Sequence, residues 1–301
     1  MSWFLIALVA PFLWAISNYI DKYLVSRFFE GRFGVFFLLG TLISFIVLPI
    51  IFLIEPSVIS IPISTALLIT MLGIFGASGL LPYFYALQKE SVTSVVPLFQ
   101  MIPVFVYFLG YFILGEQLAV HQTLAAGMVI SGAVILSIEM EGKIRFRNDA
   151  FWNMMLGCLI GAISIVLFKF FALETSYWTT NFWEYVGDAI LSVCIIAFAP
   201  KIRGDFVSLI RTRVRGLIKI NILNEFIGTF ASFSIAFATL LAPTALVWSV
   251  NGFQAFFVFL FGIIITIFLP RFGQENLARR HIVQKLLAIA IMFVGVYLLG
   301  S

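Results

Sequence analysis

The chain has 301 residues, 62% of them hydrophobic and 11% charged, with a net charge of +4. A soluble domain is about 45–50% apolar and about 25% charged, so the apolar surplus exceeds what one globular core can hide. The chain therefore reads as an all-α integral membrane protein with lipid as its solvent, and its scattered bases do not point to nucleic acid.

In chain order the apolar segments fall at 3–20, 33–54, 64–87, 92–113, 119–138, 151–171, 180–199, 217–240, 243–268 and 281–299, which predicts ten transmembrane helices. No basic region precedes the first, so it reads as a span and not as a cleaved signal. Span three carries Gly73, Gly76, Gly79 and Pro82 and is expected to bend. Span four contains Pro97 and Pro103. Span five contains Gly127 and Gly132, where small residues let helices approach closely. Spans eight and nine meet at Ala242–Pro243, a tight hairpin. Gly31, Gly142 and Gly204 lie in polar links and read as turn residues. Cys158 and Cys194 lie inside apolar runs and read as small buried hydrophobes.

The bases set the expected orientation. Seventeen of the 18 Lys and Arg residues fall in or beside the links after spans one, three, five, seven and nine, and Lys169 inside span six is the exception. Basic links stay in the cytoplasm. Both termini are therefore expected outside, in a plasma (inner) membrane, and the basic face can attract anionic lipid.

The two halves of the sequence align. Trp14–Lys22 and Gly161–Lys169 share Ala15/Ala162, Ile16/Ile163, Ser17/Ser164 and Lys22/Lys169, and the same offset pairs Gly40 with Gly187. Further along, Val96 pairs with Val247, Gln100 with Asn251, Phe105 with Phe256 and Gly132 with Gly295. Each half, 1–140 and 150–301, holds five spans. An odd number forces opposite orientations, which predicts two inverted five-helix repeats with a solute site near the midplane.

Specific motifs carry a resemblance. They are Trp14 and Asn18 in span one, YALQKES at Tyr85–Ser91, Pro103 in span four, LGE at Leu114–Glu116 and GAVIL at Gly132–Leu136. The second half adds GQENL at Gly273–Leu277 and FVGVYLL at Phe293–Leu299. The chain resembles an EamA family transporter of the drug/metabolite transporter superfamily. It departs at Gln117, where the family often has a base, and at Gln254, which stands opposite Pro103. The resemblance implies transport of amino acids, other metabolites or drugs, often with proton coupling or exchange.

Charged groups inside spans are costly and mark cavities, partners or pathways. Lys169, Glu184, Asp188 and Glu225 are such groups. Glu184 and Asp188, four apart, share one helix face. Lys169 and Glu184 fall at similar depth, so a Lys169–Glu184 pair is expected. Glu225 lies beside Asn221 and Asn224. Asn18, Gln100, Asn251 and Gln254 each need a partner in hydrocarbon, and the Gln100/Asn251 match points both toward a shared cavity. Trp14, Tyr83, Tyr85, Tyr107 and Trp248 are candidate stacking walls, against a background of 17% aromatic residues. Glu116 is expected to be structural, capping or orienting span five. His121 and His281 fall on opposite faces, and no metal, nucleotide or hydrolytic motif is evident, so no cofactor is expected.

The expected function is secondary active transport of a small solute by alternating access, as an exporter coupled to protons or to a counter-solute. A cationic or zwitterionic, amino-acid-like solute fits the excess of acids over bases in the spans. The rival readings are an uncoupled channel or facilitator of the same fold, a membrane enzyme acting on a lipid-linked substrate, and a non-transporting receptor or assembly factor. The sequence sets no oligomeric state.

Overall fold

The computed structural model describes residues 2–27, 33–89, 96–137, 148–211, 215–268 and 279–300, all as helices and short connections, with no strand among them. The helices are α1 (Ser2–Arg27), α2 (Phe33–Leu42), α3 (Ser44–Ile54), α4 (Ile63–Ser78), α5 (Leu80–Lys89), α6 (Met101–Leu109) and α7 (Val120–Ser137) in the first half. The second half has α8 (Asn148–Glu174), α9 (Tyr177–Phe198), α10 (Pro200–Arg211), α11 (Arg215–Leu241), α12 (Thr244–Ser249), α13 (Phe253–Phe268) and α14 (Arg279–Gly300).

Seven stretches are long and apolar enough to cross a membrane: Ser2–Asp21, Gly34–Ile54, Ile63–Tyr83, Phe151–Glu174, Tyr177–Phe198, Lys219–Leu241 and Thr244–Ile264. Three shorter apolar segments, Leu98–Leu114, Val120–Ile135 and Val283–Val296, fall where spans four, five and ten are predicted. Each of these three has one end close to a stretch outside the described residues. Several expected features lie in such stretches: Gly31, Gly142, the end of YALQKES and the whole of GQENL. The side chain of His281 likewise lies outside them.

Several spans are interrupted. Span two breaks at Ile43 between α2 and α3, where the Thr41 hydroxyl donates to the Leu38 carbonyl and the Ser44 hydroxyl to the Thr41 carbonyl. These side chains occupy backbone acceptors that a broken helix would leave bare in lipid. Span three bends at Gly79, between α4 and α5. Span four begins as a 3-10 turn (Val96–Gln100), continues as α6 and closes as a π turn (Gly110–Leu114). Span nine carries a matching 3-10 turn, Val250–Gly252, between α12 and α13.

The seventh link differs from expectation. It contains α10, and Gly204 lies inside that helix, not in a turn. Pro200 at its first position is pre-set for helix. Ile202, Phe206 and Leu209 recur at helical spacing and pack on Leu24, Val35 and Phe36 of α1 and α2. Cys194 also departs from expectation: Cys158 is buried, but Cys194 sits on an exposed face of α9.

The halves interleave. α7 packs along α14, α1 along α11 and α13, α4 along α9, and α8 along α4, α5 and α6. The largest core joins Ala7 and Ala10 of α1 to Val129 and Ala133 of α7, Ile235 of α11, Val247 of α12 and Met292 of α14. Side chains also bond across: Tyr19 to the Val258 carbonyl at 2.7 Å, Trp183 to Val58 at 2.9 Å and Gln284 to Ile135 at 2.9 Å.

The tightest crossing is α4 on α9. A side chain at Gly73 would run into the Glu184 carbonyl, and one at Gly187 into the Thr70 carbonyl. Only glycine permits this backbone-to-backbone approach.

Candidate functional site

Between the halves lies a cavity of about 570 Å³, walled by α1, α2, α4, α5, α8, α9, α11 and the α12–α13 break. Its placement of acids begins with local chemistry on α9. Ser176 caps the helix, accepting from the Thr179 N–H at 3.1 Å. That cap sets the register of α9. Glu184 then falls two turns in and Asp188 one turn further, both on the cavity face. Both are half-buried, and their exposure is to the cavity. They lie close enough to interact electrostatically.

A second acidic pair faces the cavity from α1 and α11. The Asn224 amide donates to Asp21 Oδ1 at 2.5 Å. Glu225 lies close enough to Asp21 to interact electrostatically. The backbone of α2 comes close at Gly40, where an added Cβ would sit 3.6 Å from both Glu225 carboxylate oxygens. Four carboxylates thus line the cavity, while none of its described lining residues is Lys, Arg or His.

Polar and aromatic groups complete the lining. Asn18, Asn251 and Gln254 line it, as do Ser17, Ser164, Asn181 and Thr229. Asn18 Nδ2, Asn224 Oδ1 and Asn251 Oδ1 are buried without a hydrogen-bond partner. Trp14 and Trp248 lie side by side, ring centroids 6.0 Å apart and tilted by 33°, and Tyr83 packs on Phe99 at 5.1 Å. All four rings face the cavity.

Of the residues expected at a solute site, Asp188, Glu184, Glu225, Asn18, Asn251, Gln254 and Trp14 are brought together here. Four are not. Gln100 is buried outside the lining, beside Gly252. Tyr85 donates to Asp149 at 3.2 Å, away from the cavity. Tyr107 is half-exposed on the outer surface of α6, stacked edge-on against Phe108. Lys169 does not meet Glu184. Its ammonium bonds Glu116 at 2.6 Å and the Ala242 carbonyl at 2.8 Å. The sequence places Lys169 and Glu184 at one depth but cannot say which way either faces around its helix.

Glu116 lies at the centre of a clamp. The chain leaves the π turn through Gly115, whose φ of +67° is left-handed and favours glycine. The Glu116 N–H returns to the Gly110 carbonyl at 3.1 Å. Its carboxylate accepts from Lys169 and from both the N–H and the hydroxyl of Thr244, at 2.8 and 2.9 Å. The Leu-Gly-Glu triplet therefore ties the span-four link to α8 and to the start of α12, next to the Ala242–Pro243 hairpin.

Asp21 escaped the sequence reading. It abuts Lys22 and a polar link, which makes it look like an interfacial helix end. The signal was its place one turn after Ser17 and Asn18, on the face that carries the Trp14–Asn18 motif.

The sequence profile of the EamA-like transporter family matches residues 1–138. No curated protein matches the chain. Among solved structures, one titled only as the crystal structure of a protein is similar in fold, with a TM-score of 0.70 and 16% identity over 99% of this chain and 96% of that one.

Proposed function

Starting from a first half that matches a family of small-solute transporters, we propose that this integral membrane protein is a secondary active transporter. It moves a small cationic or zwitterionic solute by alternating access, as an exporter coupled to protons or to a counter-solute. The observation that carries the reading is a cavity shared by both halves, with four carboxylates on its walls and no base among its described lining residues. A carboxylate at this depth needs water, a partner or a proton. A solute cation and a proton can therefore compete for the same group, which is the elementary requirement for exchange.

The two halves, 1–140 and 150–301, act as inverted repeats that rock about the cavity. Support comes from how the packing repeats when the halves are exchanged. α1 lies on α11 of the second half, as its counterpart α8 lies on α4 and α5 of the first. The 3-10 turns Val96–Gln100 and Val250–Gly252 overlap when Gln100 is set opposite Asn251. With the basic links in the cytoplasm, the Glu116–Lys169–Thr244 clamp holds the outer end of the cavity together.

The test is Asp188→Asn in proteoliposomes, using a panel of labelled amines and amino acids to find a solute. The substitution keeps shape and removes the titratable group. The variant should lose accumulation driven by an imposed pH gradient while keeping solute-for-solute exchange. Wild-type accumulation in both Asp188→Asn and Glu225→Gln would remove the proton-carrier role. Wild-type protein that never accumulates solute against a gradient would instead favour the channel reading.

A further inference from the structure

The arrangement of the acids narrows the solute further. We infer that the cavity takes a linear aliphatic diamine or longer polyamine, with one ammonium at Glu184/Asp188 and another at Asp21/Glu225. This rests on the cavity being the transport site.

The acids form two groups on different walls. Glu184 and Asp188 belong to α9 and interact with each other. Asp21 and Glu225 belong to α1 and α11 and do likewise. Tyr177 of α9 packs on Phe237 of α11 and Tyr185 on Phe233, so these two helices lie side by side and antiparallel. At 1.5 Å per residue, Asp188 is ~4.5 Å beyond Tyr185 along α9 and Glu225 is ~12 Å from Phe233 along α11, both in the same direction. Helical side chains lean toward their own N-terminus. The two helices run oppositely here, so the α9 acids lean one way and Glu225 the other. The result is two anionic pockets separated along and across one cavity. In extended 1,4-diaminobutane the nitrogens are about 6 Å apart, from bonds of about 1.5 Å.

A second observation points the same way. Asn224 is 3% exposed and lines the cavity, and its carbonyl oxygen has no partner. Its orientation follows from its own network, because its amide nitrogen is the atom that donates to Asp21. The free group is therefore an acceptor, beside the Asp21/Glu225 pocket, and it calls for a donor such as an ammonium. Asn251, 5% exposed, also lines the cavity and leaves its carbonyl oxygen unpaired.

A carboxylate-bearing solute would find no cationic side chain in the described lining. Lys169, whose side chain is 9% exposed, is held by Glu116 outside that lining. The tilted Trp14–Trp248 pair and Tyr83 offer apolar faces for methylenes and π faces for an ammonium.

Isothermal titration calorimetry of the purified full chain in detergent tests this, with 1,4-diaminobutane, n-butylamine, spermidine and lysine as probes. Diaminobutane and spermidine should bind at least tenfold tighter than butylamine and lysine. Asp188→Asn and Glu225→Gln should each bring diaminobutane down to the wild-type butylamine level, while thermal unfolding and size-exclusion profiles like those of wild type show that the variants are folded. Equal affinity for diaminobutane and butylamine would overturn the two-pocket inference and leave the transport site standing. Lysine binding as tightly as diaminobutane would do the same. If no probe binds, or binding ignores both substitutions, the inference fails and so does the cavity as the site of a cationic solute.

Discussion

Replacing Glu116 by Gln tests the clamp directly. The carboxylate accepts three hydrogen bonds, from Lys169, the Thr244 N–H and the Thr244 hydroxyl. The Lys169 and Glu116 side chains are only 9% and 14% exposed. A Gln side chain keeps one acceptor oxygen and brings an NH₂ donor against existing donors. It also leaves the Lys169 ammonium without a carboxylate partner among the contacts described. Breaking a buried pair by removing one partner costs about 3–5 kcal/mol. Part of that cost comes from the charge left behind, so neutralising both partners should cost less than the sum. The assay is a double-mutant cycle with Glu116→Gln, Lys169→Met and the pair, read by thermal unfolding in detergent and by turnover per folded molecule. Each single variant should lose stability, and the double should recover at least about 1 kcal/mol of the summed loss. Additive effects would refute the coupling. Wild-type stability with abolished transport in Glu116→Gln would move the residue into the transport machinery.

Three further outcomes are expected. Gly115→Ala should cost about 1–2 kcal/mol, because its φ of +67° is left-handed although nothing lies within 4 Å of an added Cβ; Gly127→Ala, also in open space, is the neutral control. Gly73→Ala should be worse than either, since its Cβ meets backbone that cannot swing aside, and folded yield measured by fluorescence size-exclusion should fall sharply. A reporter active only in the cytoplasm, fused after Gly300, should be silent; strong activity there would reverse the proposed orientation.

The spans were legible because lipid leaves a chain few choices. Backbone groups must be paired within helices, so apolar runs of membrane length appear directly in the residue order. Glu184, Asp188 and Glu225 were legible for the same reason, since a charge in such a run needs a justification. What could not be read was rotation about each helix axis. Lys169 could face Glu184 or Glu116, and only packing decides. Tyr85 and Tyr107 could not be told from the other aromatics, which serve lipid, packing and cavity alike. Asp21 is drawn inward by Asn224, 203 residues away, a contact no local pattern announces. The amphipathic α10 hid inside a basic link, where its charges outweighed the apolar stripe formed by Ile202, Phe206 and Leu209.

The interleaving of the halves has a consequence for biogenesis. Each long first-half helix completes its packing against a helix made later: α1 on α11, α4 on α9, α7 on α14. During synthesis the small-residue faces of α1 and α4 enter the bilayer before their partners exist. Gly73 must then face lipid or an insertion factor until α9 (Tyr177–Phe198) is made, and Ala7 and Ala10 until α11 (Arg215–Leu241) is made. Folding is thus gated by the arrival of the second half, and a ribosome stalled before α9 would leave a bundle open along three seams.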